Sequence, residues 1–163
     1  MTFNPFTAKP QADHERIIRH FMHDAREIIA FQRELLKDID DFMQTQVEMK
    51  EELRNFAPDF EKSKTKEKRE AIQYYKNQIQ ENTLSVEDFR TDIAHNGADI
   101  EEQITKVQGS KDKMTKAERA RFNTLVDMQP MVAKMNRKMK AIEGEILACT
   151  KIVEKFEASM NQQ

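Results

Sequence analysis

LVDMQPMVAKMNRKMKAIEGEILACTKIVEKFEASM, residues 125–160, decides the fold. Stepping alternately three and four residues from Leu125 gives Met128, Val132, Met135, Met139, Ile142, Ile146, Cys149, Val153, Phe156 and Met160, every one apolar. Such steps place side chains on one stripe of an α-helix. A seven-residue apolar repeat kept over this length makes a seam that must be covered by other helices.

Two further stretches carry the same stepping. From Ile18 it runs through Phe21, Ala25, Ile28, Gln32, Leu35, Ile39, Phe42, Gln46, Met49 and Leu53 to Phe56; Met22, Ile29, Leu36 and Met43 widen this stripe into a face that touches two neighbours. From Ile72 it runs through Tyr75, Ile79, Asn82, Val86, Phe89, Ile93, Asn96, Ile100 and Gln103 to Val107. Of the 34 seam positions in the three stretches, 29 are apolar. At the chain's own 38% hydrophobic content, chance would supply about 13, so the period is not accidental.

Punctuation sets the expected boundaries. Asp13 is the expected N-cap of the first helix, and Pro58 is expected to stop it, giving residues 13–56. A short charged link, 57–64, favours an antiparallel neighbour over 65–108. Thr83-Leu84-Ser85 and Asn96-Gly97 are places where that helix can break, but the heptad phase passes through both without a slip. Gly109-Ser110 is expected to end it as a glycine helix stop. Thr115, three before Glu118, opens the third helix over 115–160 as a capping box, and Pro130 points away from the seam and should kink it. The fold class expected is all-α: an elongated, antiparallel up-down-up three-helix bundle, coiled-coil-like and left-handed, each helix roughly 65 Å long. A looser hairpin that dimerises is the alternative. Residues 1–10, with Pro5 and Pro10, read as a flexible tail before a single domain over 11–163. Within that tail Asn4-Pro5-Phe6 resembles the short ligand bound by EH domains of endocytic proteins. The preferred reading is that Phe3 and Phe6 fold back on the bundle or stay disordered.

Composition narrows the function classes. The 163 residues carry 34% charged and 7% aromatic side chains, three glycines and a net charge of −2. No apolar run is long enough to cross a bilayer, and no secretory signal pattern opens the chain. One cysteine excludes an internal disulfide framework and fits a reducing, cytoplasmic setting. Cys149 lies on the seam, where a thiol is packing rather than nucleophile. No glycine-rich phosphate loop is present. His20, His23, Asp24 and Glu27 share one helical face, and Asp92 and His95 have a single i, i+3 spacing. Both read as solvated surface rather than metal ligands, so neither a cofactor nor a catalytic residue is expected. The seam amides Gln32, Gln46, Asn82, Asn96 and Gln103 are expected at different heights, fixing register rather than converging.

What remains points to a non-enzymatic protein-interaction module: an adaptor, spacer or small helical chaperone, with a homodimer as one possible assembly. Its candidate contact segment is Met128, Met131, Met135 and Met139, since methionine suits adaptable surfaces; core filling is the competing reading. The alternative is electrostatic binding of nucleic acid or an anionic membrane through a basic pole of Arg16, Arg19, Lys111, Lys113, Lys116, Arg119 and Arg121.

Overall fold

The computed structural model describes the backbone of residues 5–162 and side chains from Asp13 to Gln162. Three α-helices pack against one another: α1 (Pro5–Lys62), α2 (Thr65–Val107) and α3 (Lys116–Asn161), with a 3-10 helix, Gln108–Lys113, between α2 and α3. No strand occurs among the described residues. None of the seam positions is exposed, so the heptad stripe is the buried stripe on all three helices. No helix among the described residues is long and apolar enough to cross a membrane.

The three helices supply two compact units. The first, Met1–Leu35 with Asp92–Lys134, buries Ile18, Phe21 and Ala25 of α1 against Ile100 and Val107 of α2 and Phe122 and Leu125 of α3. The second, Leu36–Thr91 with Met135–Gln163, buries Met49, Leu53 and Phe60 against Tyr75 of α2 and Cys149, Val153 and Phe156 of α3.

Several boundaries differ from the sequence expectation, each for an identifiable reason. Pro58 does not stop α1, which continues to Lys62. A proline inside a helix costs about 3 kcal/mol through a lost hydrogen bond and a clash. Pro58 lies on the exposed face, so the Arg54 carbonyl it leaves without a donor is on the solvent side. The extra turn buries Phe60, which stacks on Phe156 at 4.2 Å between ring centroids and meets Phe56 at 6.2 Å. Burying a phenylalanine contributes about 1.5–3 kcal/mol and each ring pair about 0.5–1.5 more, enough to offset the proline. Ser63 then closes the helix, its hydroxyl donating to the Asp59 carbonyl at 2.8 Å.

Gly109 is not a left-handed stop either: no described residue has positive φ. α2 instead tightens into the 3-10 turn, which buries Ser110 and Met114. The Ser110 hydroxyl lies 2.6 Å from His14 Nδ1, tying this turn to α1. α2 is unbroken at Ser85 and at Gly97. Gly97 is a close approach rather than a weak point, since a Cβ there would lie 3.2 Å from Val132 Cγ1. The capping box of α3 forms as expected: the Thr115 N–H donates to Glu118 Oε1 at 2.8 Å, and the Glu118 N–H to Thr115 Oγ1 at 3.2 Å. Pro130 faces solvent within α3. At the N-terminus the described backbone is already helical from Pro5, through Pro10 and Asp13, where a flexible tail and an N-cap were expected; Pro5, in the first turn, gives up no helical hydrogen bond, whereas Pro10, one turn further in, gives up one. Residues 1–4 and the side chains of Asn4-Pro5-Phe6 lie outside the described residues.

Four of the five seam amides pair across helices, where separate heights were expected for each, but they do so in two separate layers rather than in one site. In the first unit Gln32 Nε2 donates to Asn96 Oδ1 at 2.8 Å and to the Met128 carbonyl at 3.1 Å, so one side chain links all three helices. In the second unit Asn82 Nδ2 donates to Gln46 Oε1 at 3.1 Å. Each pair is equidistant in sequence from Lys64, so a turn at Ser63-Lys64 brings glutamine opposite asparagine twice. Gln103 also finds a partner, donating to Asp24 Oδ2 at 3.3 Å.

Candidate interaction surfaces

The methionine segment is interior. Met135 and Met139 are fully buried, Met128 is buried and Met131 half-buried, because the heptad phase carries Met128, Met135 and Met139 straight down the seam. Met128, Met135 and Met139 fill the core, and only Met131 keeps part of its side chain at the surface.

The basic residues expected at one pole are partly consumed within the first unit. Arg16 pairs with Asp13 at 3.6 Å. Lys111 lies over the Phe122 ring at 5.3 Å, and Arg119 donates to the Lys111 carbonyl at 3.4 Å. Arg19 and Lys113 line one groove, but Glu15 and Glu118 line it with them. Lys116 is exposed. The seven residues therefore do not form one uninterrupted basic field. Arg121 turns elsewhere: its Nη1 donates to the Met22 carbonyl at 3.0 Å, and it lines a separate groove between α1 and α3 with Arg26 and Arg33. Arg33 belonged to no pole expected from the sequence. Its signal was the seven-residue spacing from Arg26, which puts both guanidinium groups on one face of α1.

The histidine face holds no converging donor set. His20 and His23 are exposed, His23 Nδ1 lies 3.3 Å from Asp24 Oδ1, and Asp24 is also the acceptor for Gln103. No group of three or more potential ligands is assembled among the described residues. Cys149 is fully buried, and burial, reinforced by the nearby Glu145 carboxylate, pushes its thiol up from the ordinary cysteine value. A thiol so placed is a poor nucleophile at neutral pH.

One apolar groove lies within the second unit. Val86 and Ile146 form its floor, and Leu147, 54% exposed, stands at its edge. Thr83 and Thr150 flank it, but each hydroxyl donates to a carbonyl of its own helix, Ile79 at 2.8 Å and Ile146 at 2.9 Å. Their O–H donors are therefore committed within their own helices. The groove has a volume of about 340 Å³ and covers about two turns of each helix, closed at one end by the ion pair between Arg90 and Glu143 at 2.7 Å. Sequence periodicity missed it, because Leu147 lies off the heptad stripe and reads as a scattered surface residue.

No family model matches the chain, and no curated protein or solved structure matches it. The surfaces must be read on their own chemistry.

The two units manage charge differently. In the second, four ion pairs bridge helices: Lys50–Glu145, Lys76–Glu157, Arg90–Glu143 and Lys138–Asp40. In the first, no ion pair bridges two helices among the described residues; its pairs, Arg16–Asp13 and Lys106–Glu102, are local. Exposed pairs contribute only about 0–1 kcal/mol each, so apart from the half-buried Lys50–Glu145 the contrast matters for what each surface leaves free rather than for stability.

Proposed function

We propose that the protein is a non-enzymatic protein-interaction module, an adaptor or helical chaperone, that receives a partner helix in the α2–α3 groove of its second unit. The observation that supports this reading is the exposed Leu147 at the edge of an apolar groove whose flanking threonines commit their O–H donors to their own helices. A channel between two helices accepts side chains spaced i, i+4 or i, i+7 from a third. Two turns of groove hold two such anchors. Glu87 lines it and makes no ion pair among the described residues. The partner is therefore an amphipathic helix with two leucine-like anchors and a lysine or arginine beside them. The polar layers at Gln32 and Gln46 support the same role, since a bundle with a fixed register presents a fixed surface.

Leu147→Glu tests it, because Leu147 lies outside the core and its replacement leaves the bundle packed. The expected result is a cellular protein that co-purifies with the wild-type chain, binds it in salt-tolerant fashion once purified, and loses at least about tenfold in affinity for the variant, as befits one buried anchor. A partner that binds both chains equally, or whose binding collapses with moderate salt, overturns the reading. Self-association abolished by Leu147→Glu identifies a second copy as the occupant and overturns the hetero-partner.

A further inference from the structure

The α1–α3 groove of the first unit has a different chemistry. It is lined by Arg26 and Arg33 from α1 and Arg121 from α3, with the buried Ile29 beneath them and the exposed Ala30, Ala117 and Ala120 along its sides. Its volume is about 500 Å³, and no carboxylate lines it. None of the three guanidinium groups makes an ion pair among the described residues, whereas the second unit neutralises its bridging cations with acids across the helices. Three like charges around one channel repel each other and disfavour the folded state unless an anion sits among them.

We infer that this groove binds a small polyanion carrying two or more phosphate groups. Arginine suits that ligand because its planar fork offers two parallel N–H donors to phosphate oxygens. Arg121 is held in place by its bond to the Met22 carbonyl, so one end of the fork is oriented before the ligand arrives. Arg26 and Arg33, seven residues apart, stand about 10 Å apart along the helix. That separation exceeds what one phosphate bridges and matches a run of linked phosphates. The short alanine side chains leave the guanidinium groups unobstructed and contribute no competing acceptor. Binding along a nucleic-acid strand is disfavoured: no aromatic side chain lines the groove to stack a base.

The test uses the full chain and isothermal titration with three probes: sodium tripolyphosphate, orthophosphate and a single-stranded oligothymidylate. Tripolyphosphate is expected to bind one per chain, with affinity falling as salt rises. Orthophosphate is expected to bind at least about tenfold more weakly, since it engages fewer charge-assisted bonds. Arg33→Gln and the double variant Arg26→Gln/Arg33→Gln should weaken tripolyphosphate by about tenfold or more, with Arg33→Lys losing less than Arg33→Gln. Both positions are exposed, so these variants keep the wild-type helical signal, and with less charge repulsion their unfolding midpoint in the absence of anion is no lower than that of wild type. Arg69→Gln, in the second unit, should leave the affinity unchanged. Equal affinity of wild type and double variant for tripolyphosphate overturns the inference. So does orthophosphate binding as tightly as tripolyphosphate, or the oligonucleotide binding more tightly than either.

Discussion

Replacing both members of the Gln32–Asn96 pair with apolar residues of matching shape should do less harm than replacing either alone. Both side chains are essentially inaccessible to water, at 1% and 0% exposure. Between them they make two hydrogen bonds and leave Gln32 Oε1 and Asn96 Nδ2 without a partner. Gln32→Met strips Asn96 of its remaining bond and orphans its oxygen, at about 1–3 kcal/mol, less what the thioether gains by burial. Asn96→Leu leaves Gln32 its bond to the Met128 carbonyl, so about 1 kcal/mol is expected. The double variant removes every orphan, including the two already present, and should equal or exceed wild-type stability. The coupling in the cycle is then at least about 2 kcal/mol, well outside the error of additivity for independent sites. Urea unfolding followed by helical circular dichroism measures it, provided the four slopes agree. Sedimentation supplies the second half: with one of its two polar layers gone, the double variant should populate other association states more than wild type does. A double variant whose loss equals the sum of the single losses would refute the claim that the two amides act as one unit.

Three more outcomes follow from particular residues. Pro58→Ala restores a helical hydrogen bond on an exposed face and should raise stability by up to about 3 kcal/mol in the same urea assay, whereas a helix that ended at Phe56 would leave it unchanged. Gly144 is exposed in mid-α3, and a methyl group placed there would have nothing within 4 Å, so Gly144→Ala should gain about 1 kcal/mol; Gly97→Ala should gain less, because its methyl meets Val132, and should recover that gain in a Val132→Ala background. Tyr75 is pushed up to about 12 by burial first and by its hydrogen bond to Glu52 second. The folded state therefore holds the phenolic proton longer than the unfolded chain: this contribution is complete below pH 10 and is lost as pH rises through 12, a decline that Tyr75→Phe should abolish in stability measured against pH.

The heptad stripe was enough to identify the buried face, because a repeat of this length has no other use for its apolar residues. Ile28 is half-buried, Val86 buried and Met135 fully enclosed, as the stripe requires. Register was harder, and one proline accounts for the difference. Ending the first helix at Phe56 puts the middle of the link three to four residues too early, which slides the pairing of α1 with α2 by one heptad. Gln32 then falls opposite Phe89 and Gln46 opposite Tyr75, and the amides look scattered. With the turn at Ser63-Lys64, each glutamine meets an asparagine. The clue was present in the chain: Gln32 and Gln46 are fourteen residues apart, and so are Asn82 and Asn96, an interval of two heptads on both helices. A buried amide that must find a partner constrains register more tightly than a proline constrains a helix end, because an orphaned amide has no solvent to turn to, while the Arg54 carbonyl beside Pro58 does. The surfaces escaped the sequence for a related reason. Periodicity reports what faces inward, and the Leu147 groove and the Arg26–Arg33–Arg121 channel are defined by which outward residues of two different helices come side by side, a relation fixed only once the register is known.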